Sequence, residues 1–194
     1  MSFLSDAELF DLGFESLGQN VKISHKASIY GADRISIGNN VRVDDFCILS
    51  AGVGGISIGS FIHVAAYSSL IGKEHIELVD FCNISSRVSI YSNNDDYSGC
   101  WMTNPTVPEN FTGVMYAPVF IGKHAIVGAG SVILPGGYLE EGVAVGALSL
   151  IKEHCREFGV YCGVPAKRVS ERSRNILVRE EEFLALLREQ GQYF

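Results

Sequence analysis

The chain has 194 residues, which fits one domain with at most a short appendage. A formal net charge of −7 argues against a broad nucleic-acid footprint, and a hydrophobic content of 47% supplies ample material for a core. No apolar run approaches the length of a membrane span, and the acidic N-terminus is unlike a signal peptide. The five cysteines, none in a C-x-x-C pair, disfavour a disulfide framework and favour a reducing, cytoplasmic compartment.

The first predicted element is a short helix in an N-terminal capping segment, residues 1–20. Ser5 and Glu8 form a capping box, in which each residue's side chain accepts a backbone N–H at the helix start. Gly13 can end this helix, because glycine readily takes the left-handed conformation found there. We expect this segment to cover one end of the structure that follows.

A six-residue aliphatic period fills residues 21–151. The period matches neither an amphipathic helix nor a hairpin, and it predicts short strands separated by tight turns, with one inward side chain per repeat. A second inward position, two residues earlier, is filled by small or β-branched residues in several repeats. The residues of the main register are Ile23, Ile29, Ile37, Val43, Leu49, Ile58, Val64, Leu70, Leu78, Ile84, Ile90, Ile121, Val127, Ile133, Leu139, Val145 and Ile151.

The period is interrupted after every third repeat, at the steps 29–37, 49–58, 70–78 and 90–121. These steps exceed six residues by two, three, two and 25 residues. Three repeats therefore make one coil, and every insertion leaves from the same edge. The sequence predicts an all-β fold, a triangular prism of stacked parallel strands with nearly six coils and a long loop, residues 91–118.

Residues 152–194 form a C-terminal extension. The six-residue register is absent from 152–170, whereas 172–189 is helical by composition. Ile176, Phe183 and Leu187 lie at spacings that let a helix pack on a neighbouring surface.

The repeats IGNNVR, IGSFIH, IGKHAI and VGAGSV, and the later SVILPGGYLEEGVAVGALSLI and GVPAKRV, resemble the hexapeptide-repeat acyltransferases. The resemblance covers about residues 15–170 and implies a left-handed parallel β-helix, a homotrimer and an acyl-CoA co-substrate. Within this superfamily the chain is most similar to the galactoside and xenobiotic acetyltransferase branch. NISSR, DDYSG and TNPTVP narrow the resemblance to N-acyltransferases of nucleotide-linked 4-amino-4,6-dideoxyhexoses.

The start of the long loop carries the main evidence about the acceptor. Galactoside-type relatives have a histidine base there, but no histidine occurs between residues 76 and 123 of this chain, where Asp95 and Asp96 stand in YSNNDDYSG. A carboxylate can orient an ammonium or receive its proton, which favours an amine acceptor. The resemblance places Asp95 against the sugar amine, with Asp96 and Tyr97 as substrate contacts. The alternative is that the two aspartates only cap a turn.

Three outward residues of the regular coils are further candidates. His63 faces outward between Ile62 and Val64, and it is predicted to bind the acceptor or to act as a base. Ser85 and Asn83 face outward one coil later; the resemblance implies that Ser85 contacts the acceptor or the thioester. The alternatives are a histidine packed under a partner subunit and a solvated strand serine.

For CoA, the resemblance points to six residues near the C-terminus of the coils. Lysine and arginine side chains suit the phosphates of CoA, although ordinary surface cations would look the same in the sequence. The histidine spacing fits no zinc site of three histidines, so we expect no metal. The predicted CoA contacts are Ala129, Ala147, Lys152, Pro165, Lys167 and Arg168.

Together these patterns predict a cytoplasmic, homotrimeric acyltransferase that uses acetyl-CoA or another acyl-CoA. The acceptor is the amino group of a dTDP- or UDP-linked amino-deoxyhexose for surface-polysaccharide or O-antigen synthesis, attacked directly in a site between subunits. One alternative is a galactoside-type O-acetyltransferase with His63 as base. The other is a non-catalytic β-helix scaffold.

Overall fold

The computed structural model describes residues 2–191, and its parallel strands form the three faces of a left-handed β-helix. The first face contains β1 (Ser16–Leu17), β4 (Ile35–Ile37), β7 (Ile56–Ile58), β10 (Ile76–Leu78), β15 (Val119–Ile121), β18 (Tyr138–Leu139) and β21 (His154–Cys155). The second contains β2 (Lys22–Ile23), β5 (Arg42–Val43), β8 (His63–Val64), β11 (Asn83–Ile84), β16 (Ile126–Val127), β19 (Ala144–Val145), β22 (Gly159–Gly163) and the antiparallel β23 (Ala166–Glu171). The third contains β3 (Ser28–Tyr30), β6 (Ile48–Ala51), β9 (Ser69–Gly72), β12 (Ser89–Tyr91), β17 (Val132–Ile133) and β20 (Leu150–Ile151).

Each strand lies directly on its equivalent in the next coil, which confirms the predicted solenoid. Ile84, for example, pairs with Val64 on one side and with Val127 on the other. The register residues from Ile23 to Ile151 are buried except Ile29, which is half-buried because β3 is the terminal strand of its face. A stack of aliphatic side chains therefore fills the prism, and its burial is the main stabilising contribution.

The parallel strands extend beyond residues 21–151 at both ends. β1 precedes this range, and β21 and β22 follow it, so that the solenoid has about seven coils rather than nearly six. The last coil escapes the aliphatic pattern because Cys155 and Tyr161 occupy its inward positions.

The three edges of the prism differ. The first edge lies between the first and second faces, and the second edge lies between the second and third faces. At both edges the chain turns through residues with positive φ. These residues include Phe61 and Phe81 on the first edge and Phe46 and Tyr67 on the second. A left-handed backbone costs a residue other than glycine about 1–2 kcal/mol. Equivalent aromatic rings stack along each edge, 5.0 Å apart on the first and 4.9 Å on the second, and this stacking offsets part of that cost. The third edge carries the insertions, as predicted.

Helices cover one end of the prism and the first edge. α1 (Asp6–Asp11) begins at the predicted capping box, with Ser5 as N-cap. α2 (Asn175–Glu189) lies along the first edge, where Phe183 contacts Phe61 and Phe81. Its partner surface is thus the chain's own prism. Within residues 2–191, no helix is long and apolar enough to cross a bilayer.

The long loop, residues 91–118, is closed at its base by an antiparallel pair. β13 (Asn93–Asn94) pairs with β14 (Met115–Tyr116), and a short 3-10 helix, Glu109–Phe111, lies between them. The loop leaves from the end of β12 and returns at β15, so it projects from the third edge.

Candidate active site

The second face brings together three of the predicted residues. His63 on β8 pairs with Asn83 on β11, and Ser85 directly follows β11, where its N–H donates to the carbonyl of Val127 at 3.0 Å. All three side chains are half-buried on the outside of the prism. The inward packing of Val64 and Ile84 holds them in this arrangement, because alternate residues of a strand point to opposite sides.

His63 has a partner that the sequence analysis missed. Its Nε2 lies 2.8 Å from Oδ2 of Asp44, and Oδ1 of the same carboxylate accepts from Nε of Arg42 at 2.6 Å. The Asp44 side chain is 9% exposed, whereas that of His63 is 41% exposed. The register contained this signal: Val43 lies opposite Val64, so Asp44 is diagonal to His63 on the outer surface.

The two aspartates of the loop have different environments. Asp96 accepts from Oγ of Ser98 at 2.8 Å and from N–H groups of Gly99 and Trp101 at 3.0 and 3.3 Å. The Ser98 side chain, followed by these backbone donors, lowers the pKa of Asp96 below its ordinary value. Asp95 is half-buried and has no hydrogen bond or ion pair within residues 2–191. Asp96 therefore organises the loop, whereas Asp95 is available to a ligand; Tyr97 beside them is 88% exposed.

Within one chain, the long loop and the second face do not form a shared cleft. The loop projects from the third edge, which is the edge opposite the second face of a triangular prism. Asp95 therefore belongs to a different side of the molecule from His63 and Ser85.

The structure collects four of the predicted CoA contacts in one pocket of about 100 Å³ at the C-terminal end of the coils. Gly163, the last residue of β22, donates its N–H to Oγ of Ser149 at 3.1 Å. Ala129 and Ala147 are exposed on successive coils outside the pocket. The four lining residues are Lys152, Pro165, Lys167 and Arg168.

The three cations of this pocket are not equivalent. Arg168 donates to Glu171 at 2.6 Å, and Nζ of Lys152 lies 3.9 Å from a carboxylate oxygen of Glu153. Lys167 is exposed and has no polar partner within the described part of the chain. Of the three, Lys167 is the side chain most available to a phosphate.

The buried cysteines are core residues. Burial raises the pKa of the Cys47 and Cys82 thiols, and it raises the pKa of Cys155 to about 11. All five cysteines are free thiols. Within residues 2–191, no three His, Cys, Asp or Glu side chains are grouped as a metal ion would require.

One histidine lies beneath α2. His124 is 5% exposed because α2 covers it. Its Nε2 lies 2.8 Å from Glu180 of α2, and its ring stacks on Phe81. His124 therefore serves to dock α2.

Comparison with known proteins defines the family. The chain is 56% identical over 183 residues, 94% of its length and 95% of the relative's, to a dTDP-4-amino-4,6-dideoxy-D-glucose acyltransferase from Escherichia coli. It is 27% identical over 77% of its length, and 74% of the relative's, to a putative lipopolysaccharide biosynthesis O-acetyl transferase, WbbJ, from Escherichia coli K12. No family profile matches the sequence.

A solved structure of an N-acyltransferase also matches this chain over almost its whole length. The crystal structure of AntD, an N-acyltransferase from Bacillus cereus, in complex with dTDP and 3-hydroxybutyryl-CoA, superposes with a TM-score of 0.92. It is 49% identical and covers 96% of this chain and 98% of its own. The chain therefore belongs to the family of dTDP-4-amino-4,6-dideoxy-D-glucose acyltransferases, whose members are acyl-CoA-dependent enzymes with a left-handed β-helix.

Proposed function

We propose that this enzyme transfers an acyl group from acyl-CoA to the 4-amino group of dTDP-4-amino-4,6-dideoxyglucose. The observation that carries the proposal is Asp95, a carboxylate with no partner among residues 2–191, at the start of a loop that contains no histidine. A carboxylate is a weak base toward a hydroxyl, but it binds an ammonium through a charge-assisted hydrogen bond. A serine-to-cysteine variant of AntD has also been crystallised with this sugar nucleotide and CoA, which supports the same acceptor here.

In this proposal the amine attacks the thioester directly. Asp95, His63 and Ser85 are the catalytic residues: Asp95 holds the sugar nitrogen, and Ser85 donates its hydroxyl to the acceptor or the thioester. Asn83, Asp96 and Tyr97 complete the acceptor pocket. Structures of AntD variants at one aspartate and at one serine support the importance of these two residue types in the family.

Lys152, Lys167 and Arg168 are proposed to bind the phosphates of CoA. Pro165 and the backbone groups of Ala129 and Ala147 would line the rest of the CoA groove. The single pocket that holds the three cations supports this assignment. The co-substrate is acetyl-CoA or a longer acyl-CoA such as the 3-hydroxybutyryl-CoA bound to AntD.

We further propose a homotrimer with sites between subunits. α2 covers the first edge and the long loop occupies the third, whereas the second edge leaves Phe46, Tyr67 and Leu148 exposed by 46%, 53% and 74%. Packing the three second edges around a symmetry axis would cover these side chains. Each long loop, at the outer end of a third face, would then reach the second face of the next subunit and add Asp95 to His63 and Ser85.

The proposed location is the cytoplasm, in a pathway for a surface polysaccharide such as O-antigen. Five free thiols suit a reducing compartment, which is also where acyl-CoA is made. The lipopolysaccharide role in the name of the 27% identical relative supports the pathway class.

The second candidate is O-acylation of the corresponding hydroxyl sugar. The hydrogen bond between His63 and Asp44 favours it, because an oriented histidine is the usual base for a hydroxyl nucleophile. Membership of an acyltransferase family disfavours the third alternative, a non-catalytic scaffold.

A matched pair of acceptors separates the two candidates. The purified enzyme is incubated with acetyl-CoA or 3-hydroxybutyryl-CoA and either dTDP-4-amino-4,6-dideoxyglucose or its 4-hydroxyl counterpart. The products are quantified by mass, because the exposed thiol of Cys100 would add background to a thiol reagent. We expect an amide from the amino sugar and a rate at least about a hundredfold lower with the hydroxyl sugar. Acylation of the hydroxyl sugar alone would refute the amino-group assignment.

A further inference from the structure

The carboxylate of Asp44 is almost buried and is held on both of its oxygens. One oxygen accepts from Arg42 and the other contacts His63. Arg42 and His63 are cross-strand neighbours on β5 and β8, so Asp44 spans two successive coils. This arrangement fixes the rotation of the carboxylate and, through it, the orientation of the imidazole.

The contact also determines which nitrogen of His63 is available. A carboxylate accepts hydrogen bonds, so Nε2 of the neutral ring carries the proton that it donates to Asp44. Nδ1 is then an unprotonated acceptor, and it has no hydrogen-bond partner within residues 2–191. The ring nevertheless remains 41% exposed on the face that carries Asn83 and Ser85.

We propose that Asp44 is a positioning residue that presents Nδ1 of His63 as the proton acceptor for the attacking nitrogen. The inference rests on the proposed N-acylation, since it assigns the destination of the proton in that reaction. Asp95 holds the ammonium, which releases its first proton to the solvent, and the neutral amine then attacks the thioester carbonyl carbon. As the N–C bond forms, the nitrogen gives its second proton to Nδ1. The C–S bond then breaks, its electron pair stays on the CoA sulfur, and the imidazolium returns the proton to that sulfur.

Two features of the site favour this role over Asp95 for the second proton. Imidazole is the side chain that most often takes up a proton in general base catalysis, and Nδ1 of His63 is the acceptor left open on this face. The Asp44 carboxylate lies 2.8 Å from Nε2, so it faces the imidazolium that forms and keeps its hydrogen bond to the ring. Arg42 keeps the carboxylate aligned throughout.

The alternative is that Asp44 only ties two coils together. The neighbouring Asp45 provides a matched control, because its carboxylate also joins residues of an adjacent coil, accepting from Ser24 and Lys26, without touching His63. A purely structural role would make the Asp44→Asn and Asp45→Asn variants behave alike.

The kinetic test is a double-mutant cycle on the intact enzyme, with the amino sugar and acyl-CoA as substrates. Asp44→Asn should lower kcat about three- to tenfold, leave both KM values within about twofold, and cause no further loss in a His63→Asn background. Asp45→Asn should leave kcat unchanged in both backgrounds. An equal loss of kcat with and without His63, or an unchanged kcat in Asp44→Asn, would overturn the proposal.

A spectroscopic test works without catalysis and without a variant of Asp44. With ¹⁵N-labelled histidine, the His63 signals are those missing from the His63→Asn spectrum. In the wild-type protein, at a pH at which the neutral ring is observed, these signals should report a proton on Nε2. A ring protonated at Nδ1 would overturn the proposal. Because this test uses no substrate, the positioning role can fail while N-acylation holds, and an inactive wild-type enzyme would instead refute the proposed function.

Discussion

The second face and the long loop hold their candidate functional residues by different physical means. On the second face, backbone rungs and a fully buried aliphatic stack fix His63, Asn83 and Ser85 in adjacent coils. In the loop, the position of Asp95 depends on exposed hydrogen bonds that Asp96 makes over a few residues. One chain therefore carries a rigid half-site and a softer one at opposite sides, and in the proposed trimer the loop of a neighbouring copy would join them into a single site.

The largest effect is expected at the loop carboxylate. Asp95→Asn should lower kcat/KM for the amino sugar about ten- to a thousandfold, roughly 1.4–4 kcal/mol, because a neutral amide no longer attracts the ammonium. CoA affinity and Tm should stay near the wild-type values, since Asp95 has no partner within residues 2–191. His63→Asn should lower kcat/KM for the amino sugar by a smaller factor than Asp95→Asn does. If Asp95→Asn acts as wild type while His63→Asn abolishes activity, the loop does not hold the acceptor.

Mixing two variants of strongly lowered activity tests whether the half-sites come from different copies. If Asp95→Asn and Ser85→Ala subunits exchange at random, about one site in four combines an intact loop with an intact second face. The mixture should therefore recover about a quarter of wild-type activity after unfolding and refolding together. Separately refolded variants provide the control. No recovery, despite mixed oligomers shown by mass spectrometry, would place both residues of each site in one chain.

The rigid half-site on the second face could be predicted from the sequence because solenoid packing is periodic. A six-residue register and the three-repeat spacing of the insertions suffice to place Ser85 beside the His63 row, before any coordinates are known. The periodicity of the sequence does not predict contacts that occur in only one coil. The docking of α2 on His124 depends on side-chain conformations that no repeat encodes. For Asp44, the register places the residue diagonal to His63 but does not show that the two side chains meet. The last coil was missed for a related reason, since Cys155 and Tyr161 replace its aliphatic residues.

A smaller effect is expected at the CoA pocket. Lys167→Ala should raise the KM for acyl-CoA about three- to tenfold, because an exposed charged contact contributes roughly 1 kcal/mol. Lys152→Ala should have a similar or weaker effect, because Glu153 already lies 3.9 Å from its ammonium group. The KM for the acceptor should stay unchanged. Arg179→Ala, an exposed cation on α2 with its own partner Glu182, is the control and should change neither constant. Unchanged CoA affinity in both lysine variants would show that this pocket does not bind CoA.

The smallest effect, and the one that isolates the softer half-site, is expected at Asp96. Its pKa is lowered, chiefly by the Ser98 side chain, so the ionised carboxylate stabilises the loop at pH values above its ordinary pKa range, and this stabilisation is lost as pH falls through the lowered value. Asp96→Asn removes the charge but keeps one acceptor oxygen, so it should raise the acceptor KM only about two- to fivefold at neutral pH. Amide hydrogen exchange at Gly99 and Trp101, whose N–H groups bond to Asp96, should become faster, while exchange in β8 and β11 should not change. Faster exchange on the second face as well would mean that the loop and the coils do not behave as separate units. If Asp96→Asn instead lowered kcat/KM for the amino sugar as much as Asp95→Asn does, Asp96 would be a direct ligand of the acceptor.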